Sequence, residues 1–307
     1  MSQLNEQLIE QITKLVVEQL TGKNASSNSE QTNHIELLKS SSNQPFLERF
    51  STQVNSQVSV DSGKAVELKE TFDEKFDHAR SKTPGRIGIG KTGTRPLTSS
   101  MLKFRYDHAA AVDSVYGDVD RALIDKLGMF TIYTKVEEDK DTYILRPDLG
   151  RKLSDDAKRL LQEKCKKNPQ IQIIVSNGLS AEAINANLEN VYQSLLQSIE
   201  RMGLSVGTPF FIDNGRVGLM DDIGELLKPD VTIYLIGERP GLVTAESMSA
   251  YICYQPRHST IESDRTVISN IHKGGIPPVE AGAYIGNVIE KILKYKASGV
   301  NLVALES

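Results

Sequence analysis

The chain has 307 residues, of which 39% are hydrophobic, so it is long enough for one or two packed domains. Its 36 Lys and Arg residues are spread along the chain and are outnumbered by 40 acidic residues, which argues against a nucleic-acid partner. The sequence has neither the apolar run of a membrane span nor the residue order of a secretion signal, so we expect no membrane partner. The two cysteines, Cys165 and Cys253, indicate a reducing, intracellular environment, and Cys253 lies in an apolar run where we expect it to be packed.

Residues 1–22 predict a short amphipathic helix, and residues 23–63 predict a polar linker rich in Ser, Asn, Gln and Thr. A helix of this length is marginal alone in water, so its apolar side needs a partner. It either folds back on its own domain or serves as a docking peptide, and the long polar tether favours docking. The apolar residues of the helix recur at helical spacing: Leu4, Leu8, Ile9, Ile12, Leu15, Val16 and Leu20.

Residues 64–167 predict a small helical domain interrupted by a glycine-rich segment at 86–96. Gly88, Gly90 and Gly93 satisfy the spacing of a dinucleotide-binding loop, but no strand precedes them. The Lys and Ser/Thr of a phosphate-binding loop are also missing from their required positions. We interpret the segment as a structural turn with a basic rim that either contacts a partner or meets a ligand phosphate.

Further along, TYIL is predicted to be extended and to lead into a charged turn at Arg146 and Asp148. Arg146, Asp148 and Arg151 are either catalytic or, as is commoner, hold two elements together. Ser154 is a candidate N-cap for the next helix. His108 lacks a second ligand at metal spacing, so we interpret it as a packed or solvated histidine.

Residues 168–303 predict a Rossmann-like domain in which the apolar segments IQIIVS, PFFID, VTIYLIG and SAYICY are strands. Helical stretches separate the first three segments, which is typical of right-handed crossovers and a doubly wound, mostly parallel sheet. The predicted fold class is therefore α/β. The sheet would follow the small helical domain and a flexible N-terminal extension.

Polar and glycine-containing residues follow three of these strands, at 176–178, 213–216 and 237–240. Because the carboxyl ends of parallel strands meet at one edge of a sheet, we expect these segments to form a ligand crevice. The first strand-to-helix turn lacks G-x-G-x-x-G, which disfavours a nicotinamide nucleotide.

The segment from Asn270 to Gly275 nearly matches D-x-H-x-x-G, the motif with which base-off cobalamin proteins supply a histidine to cobalt. Asn270 replaces the carboxylate that would orient the histidine and raise its basicity. In this chain the motif also lies near the C-terminus, after the predicted strands, whereas base-off cobalamin proteins have it after their first strand. We interpret His272 as a loop-stabilising or partner-facing residue, with cobalt ligation as the less favoured alternative.

Taken together, several segments in order from about Arg86 to Leu302 resemble the small (light) subunit of ethanolamine ammonia-lyase. GERPGL and SNIHKGGIPPVEA are far more specific than a single glycine motif. The other matching segments are RIGIGKTGTRPLTSSMLKFRYDHAAA, YILRPDLGRKL, VSNGLSAEAI, GTPFFIDNGRVGLMDDIGELL and KASGVNL.

The resemblance implies one subunit of a hetero-oligomeric enzyme that uses adenosylcobalamin to convert ethanolamine to acetaldehyde and ammonia. In that family a large barrel subunit holds the substrate and the residues that act on it. The cofactor lies between the two subunits with its own dimethylbenzimidazole on cobalt. This chain would then clamp the cofactor and supply no catalytic residue and no metal ligand.

The family's cobalamin contacts fall on Val217, Glu238 and Val267 of this sequence. The two valines would contribute backbone groups and apolar packing, whereas the Glu238 carboxylate can accept from the amides of the corrin. Some family members have cysteine in place of Val267, which puts any thiol role in doubt. The alternative for Glu238 is a structural carboxylate paired with Arg239.

Family members encoded with ethanolamine-utilising organelles carry an N-terminal peptide that directs them into a bacterial microcompartment. The resemblance thus implies that residues 1–22 bind shell proteins, and that the enzyme lies in the bacterial cytoplasm inside a microcompartment. The alternative function is a non-catalytic α/β scaffold or binding protein of a microcompartment, without a cofactor.

Overall fold

The computed structural model of the chain describes residues 74–83, 85–136 and 139–306. The predicted helix at 1–22 and the predicted linker at 23–63 lie outside these residues. Within the described residues, no helix is both long and apolar enough to cross a membrane.

The front of the described region is helical, as the apolar spacing predicts. The glycine-rich segment forms a small antiparallel hairpin in which Lys91 lies opposite Pro96. The elements up to the main sheet are Glu74–Lys82 (α1), Lys91–Thr92 (β1), Arg95–Pro96 (β2), Thr98–Tyr116 (α2) and Arg121–Lys126 (α3).

A six-stranded sheet organises the remainder, in the order β3-β5-β4-β6-β7-β8. The strands are Phe130–Tyr133 (β3), Ile171–Ser176 (β4), Phe210–Asp213 (β5), Val231–Gly237 (β6), Met248–Tyr254 (β7) and Thr266–Ile271 (β8). The pairs β3/β5, β4/β5 and β4/β6 are parallel, which confirms the predicted α/β class. The pairs β6/β7 and β7/β8 are antiparallel, because no crossover helix separates these strands.

Helices cover both faces of the sheet. The helices after β3 are Lys140–Leu145 (α4), Asp155–Lys164 (α5), Ala181–Arg201 (α6), Leu219–Leu227 (α7), Pro278–Tyr295 (α8) and Gly299–Glu306 (α9). Apolar residues of α6 and α8 pack on one face of the sheet, and those of α5 and α7 pack on the other. Every residue of β4 and β6 is buried, as expected for strands covered on both faces.

Gly282 lets α8 pack closely on α6. A Cβ atom at this position would lie 2.5 Å from the carbonyl oxygen of Val191 in the facing helix. Ser194 of α6 also donates to the carbonyl oxygen of Val279, at 2.7 Å. The two helices therefore form one closely packed layer behind the sheet.

One local prediction is wrong, and the sequence pattern does not predict two edge strands. TYIL lies in helix α4, because Asp139 caps it by accepting from the backbone N–H of Asp141 at 3.1 Å and Tyr143 fills a buried position. Strand β3 was hidden by its short length of 4 residues. Strand β8 has no clear strand pattern because it is an edge strand with mostly exposed side chains.

Candidate functional site

The polar ends of β4 and β5 converge as predicted. The Asn177 side chain donates to Asp213 Oδ1 at 2.6 Å and accepts from the backbone N–H of Asn214 at 2.8 Å. The backbone N–H of Gly215 donates to Ser176 Oγ at 3.1 Å. These hydrogen bonds fix the two strand ends as one side of a crevice.

Gly178 brings the end of β4 against the end of β6. Its φ of 51° lies in the left-handed region that favours glycine. A Cβ atom there would overlap the carbonyl oxygen of Gly237, to which the backbone N–H of Leu179 donates at 3.2 Å. The third predicted segment is thereby joined to the other two, which confirms the predicted crevice edge.

Three donors hold the carboxylate of Glu238 at this edge. Its Oε2 accepts from the Ser247 hydroxyl at 2.7 Å, and its Oε1 accepts from the Ser249 hydroxyl and from the backbone N–H of Asn270 at 3.0 Å. Among the described residues, no ion pair joins Glu238 to Arg239, so the Arg239 pairing of the alternative is wrong, whereas the three internal donors are compatible with its structural role. Oε2 receives a single hydrogen bond here, which leaves an acceptor position for a ligand.

An open cavity of about 390 Å³ follows the sheet edge. Val217 and Glu238 both line it, so the structure brings these two predicted contacts together. Val267 lies outside its lining, on edge strand β8 opposite Tyr251, with 43% of its surface exposed. The cavity is lined by Tyr143, Gly178, Leu179, Arg216, Val217, Ile236, Gly237, Glu238, Arg239, Ser249, Tyr251 and Ser269.

A second open cavity, of about 620 Å³, adjoins the first between the end of α2 and the connection from β6 to β7. The two cavities share Leu179, Arg216 and Arg239 in their linings. His108, interpreted from the sequence as packed or solvated, is exposed and lines this second cavity.

Arg216 and Tyr143 form a packed pair in the crevice wall. The Arg216 guanidinium lies 4.1 Å from the centroid of the Tyr143 ring and donates to the Tyr143 carbonyl oxygen at 2.9 Å. The Tyr143 hydroxyl donates to the carbonyl oxygen of Gly215 at 2.9 Å, and burial raises its pKa well above its ordinary value. Arg216 lies at the crevice as its position after β5 predicts, whereas Tyr143 was not predicted there because its segment was expected to be extended.

The connection 238–247 is held from outside by two parts of the chain. Arg86 donates to the carbonyl oxygen of Leu242 at 2.9 Å, and Ser180 donates to that of Ala245 at 2.5 Å. The glycine-rich segment at 86–96 therefore anchors one wall of the crevice through its first residue. This contact agrees with its interpretation as a structural turn.

His272 stabilises its own loop. The backbone N–H of Gly274 donates to His272 Nδ1 at 3.1 Å, so the ring proton lies on Nε2, which is 2.8 Å from Asn270 Oδ1. Both ring nitrogens are thus used within the loop. The structure supports the loop-stabilising interpretation over cobalt ligation.

Two other sequence interpretations, for Ser154 and Cys253, are confirmed. Arg146 forms two hydrogen bonds of 2.9 Å with Asp148 within one exposed turn, and neither residue lines the cavities described above. Ser154 caps α5 by accepting from the backbone N–H of Ala157 at 3.1 Å. Cys253 is 1% exposed, and burial raises the pKa of its thiol to about 11, so it is packed as a small apolar residue.

The sheet-edge crevice and its fixed carboxylate define an α/β chain with a candidate ligand site. The chain belongs to the ethanolamine ammonia-lyase light chain family, whose model matches residues 73–303. This assignment confirms the predicted resemblance and the predicted class, one subunit of a hetero-oligomeric ammonia-lyase.

Curated relatives agree with the family assignment. The ethanolamine ammonia-lyase small subunit of Clostridium tetani is 51% identical, over 80% of this chain and 83% of the relative. That of Fusobacterium nucleatum is 50% identical, over 77% of this chain and 80% of the relative. The small subunit of Lachnoclostridium phytofermentans is 41% identical over 97% of this chain and 99% of its own length.

Proposed function

We propose that this chain holds adenosylcobalamin against the large subunit of an ethanolamine ammonia-lyase, which converts ethanolamine to acetaldehyde and ammonia. Family membership supports the reaction, and the Glu238 carboxylate at the mouth of an open crevice is the observation that carries the cofactor assignment. When bound, adenosylcobalamin supplies the radical chemistry through cleavage of its cobalt–carbon bond.

The residues of the crevice fit such a cofactor. A corrin carries amide N–H donors around its edge, and Glu238 Oε2 retains an acceptor position for one of them. Val217 offers backbone and apolar contacts beside it, and Val267 offers the same on β8. A cavity of about 390 Å³ that is open on one side covers only part of a corrin, so a second polypeptide is needed to enclose the cofactor.

In this proposal the two subunits have different roles. Its residues orient the cofactor and exclude water from one side, while the groups that act on ethanolamine belong to the large subunit. Accordingly we assign cofactor contacts to Val217, Glu238 and Val267, and no catalytic residue and no metal ligand to this chain.

Reconstitution tests the proposal. The full chain is co-expressed with a matching large subunit, and ethanolamine-dependent release of ammonia is measured with and without adenosylcobalamin. We expect the complex to release ammonia from ethanolamine only when adenosylcobalamin is added. An intact complex without cofactor-dependent activity contradicts the proposal.

Glu238→Gln tests the cofactor contact in the same complex. Because the amide loses one charged acceptor but keeps the side-chain shape, we expect cofactor affinity to fall about tenfold. Glu246→Ala is the matched control, since Glu246 is an exposed carboxylate in the same connection. Unchanged cobalamin affinity in Glu238→Gln would show that the carboxylate only joins the strands.

We further propose that residues 1–22 direct the enzyme to shell proteins of a microcompartment in the bacterial cytoplasm. The amphipathic spacing and the polar tether in the sequence support this. Deletion of residues 1–22 is expected to preserve activity of the complex and to abolish co-sedimentation with shell proteins. Loss of activity would instead mean that the segment packs on the enzyme.

A further inference from the structure

Two arginines at the junction of the two cavities have no acidic partner in the part of the chain that the structure describes. Arg216 and Arg239 line both cavities, and within the described ranges neither forms an ion pair with a carboxylate. The Nε atom of Arg216 is buried and has no hydrogen-bond partner among the residues that the structure describes. A half-buried guanidinium without a counter-charge is costly, so this arrangement favours an anion supplied from outside the chain.

The carboxylates of the crevice are already engaged. Asp213 binds Arg121 at 2.7 Å and Asn177 at 2.6 Å. Glu238 is held by two serine hydroxyls and a backbone N–H. Neither carboxylate neutralises Arg216, whose guanidinium contacts the ring and the carbonyl oxygen of Tyr143.

The second cavity adds an apolar surface next to the arginines. Val112, Val115, Ile144, Leu179 and Leu242 contribute side chains to its lining. A planar aromatic group suits such a surface, whereas the planar donors of arginine suit phosphate oxygens. The apolar lining and the two arginines together fit a ligand in which an anionic group is joined to an aromatic base.

We infer that Arg216 and Arg239 bind a ligand phosphodiester whose nucleotide end faces the second cavity. This inference rests on the proposed function, because adenosylcobalamin carries one phosphodiester, between its corrin side chain and its benzimidazole nucleotide. The first cavity, with the Glu238 carboxylate, then receives the amide-bearing edge of the corrin. The two cavities thus recognise two chemically different parts of one molecule.

The test compares two probes that differ in this part alone. Adenosylcobinamide keeps the corrin and the adenosyl group of adenosylcobalamin but lacks the phosphate, ribose and benzimidazole. The affinity of each probe for the complex with the large subunit is measured by equilibrium dialysis and visible absorbance, so the readout does not depend on activity. The variants are Arg239→Gln and Arg216→Gln, with Arg146→Gln in the exposed turn as control.

Each arginine variant is expected to bind adenosylcobalamin about tenfold to hundredfold more weakly, because a charge-assisted hydrogen bond to phosphate is lost. Its affinity for adenosylcobinamide, which lacks the phosphate, should be unchanged. Arg239 is exposed, so Arg239→Gln alone must show this difference even where Arg216→Gln folds poorly. Equal weakening of both probes, or no weakening, overturns the assignment to phosphate. A wild-type complex that binds neither probe overturns the proposed function itself.

Discussion

Replacing Gly178 with alanine should destabilise the chain more than its small size suggests. Alanine at a φ of 51° costs about 1–2 kcal/mol, because its Cβ meets the following carbonyl in the left-handed region. The same Cβ would lie 2.6 Å from Ile236 Cγ1 and would overlap the carbonyl oxygen of Gly237. Overpacking of this kind costs about 1–3 kcal/mol, so we expect the free energy of unfolding to fall by about 2–5 kcal/mol in all.

Urea-induced unfolding of the full chain, followed by circular dichroism, measures this loss. Gly203→Ala is the matched control, since Gly203 also has a positive φ, of 65°, but no atom lies within 4 Å of its added Cβ. It should show only the backbone cost of about 1–2 kcal/mol. If the two variants are destabilised equally, close packing of the ends of β4 and β6 is not what requires glycine at 178.

Other substitutions test the packing around the sheet. Asp221→Ala removes the more buried of the two carboxylates that pair with Arg265, at 2.9 Å from a guanidinium whose side chain is 1% exposed, and should cost about 3–5 kcal/mol in urea unfolding. Glu262→Ala removes a 73% exposed partner of the same arginine and should cost about 0–1 kcal/mol; equal losses would contradict the difference in burial. Gly282→Ala should lower the unfolding free energy by about 1–3 kcal/mol by forcing α8 off the facing backbone, and an unchanged midpoint would refute this. Burial raises the pKa of the Cys253 thiol to about 11, so iodoacetamide should label it slowly at pH 8 in the folded chain and much faster in urea. Mass spectrometry measures the two labelling rates, and equal rates would contradict the burial of Cys253.

The buried part of the fold could be predicted from sequence because it depends on apolar runs. Strands β4, β5 and β6 are such runs, and their neighbours in the sheet follow from parallel pairing through crossover helices. The edge strands β3 and β8 were not found. Strand β3 is too short to show an alternating pattern, and strand β8 exposes Val267 and Ser269 to solvent. Both strands form because they pair with a neighbouring strand, and their own residues do not predict this pairing.

The candidate site divides in the same way. The polar ends of β4, β5 and β6 were predictable, because each directly follows an apolar run. The positions of Ser247 and Ser249 around Glu238 were not, since they depend on the register in which Ile236 lies opposite Ser249. A shift of one residue in that register would turn the hydroxyls to the other face, and sequence spacing does not fix it.

The reversal of the chain between β6 and β7 places Glu238 directly after β6, where its backbone N–H donates to the carbonyl oxygen of Ser247 at 2.9 Å and continues the pairing of the two strands. The acceptor is therefore preorganised: the backbone ladder fixes its orientation before any ligand arrives. Little side-chain entropy remains to be lost when a ligand amide meets it, so the strand register contributes to affinity without touching the ligand.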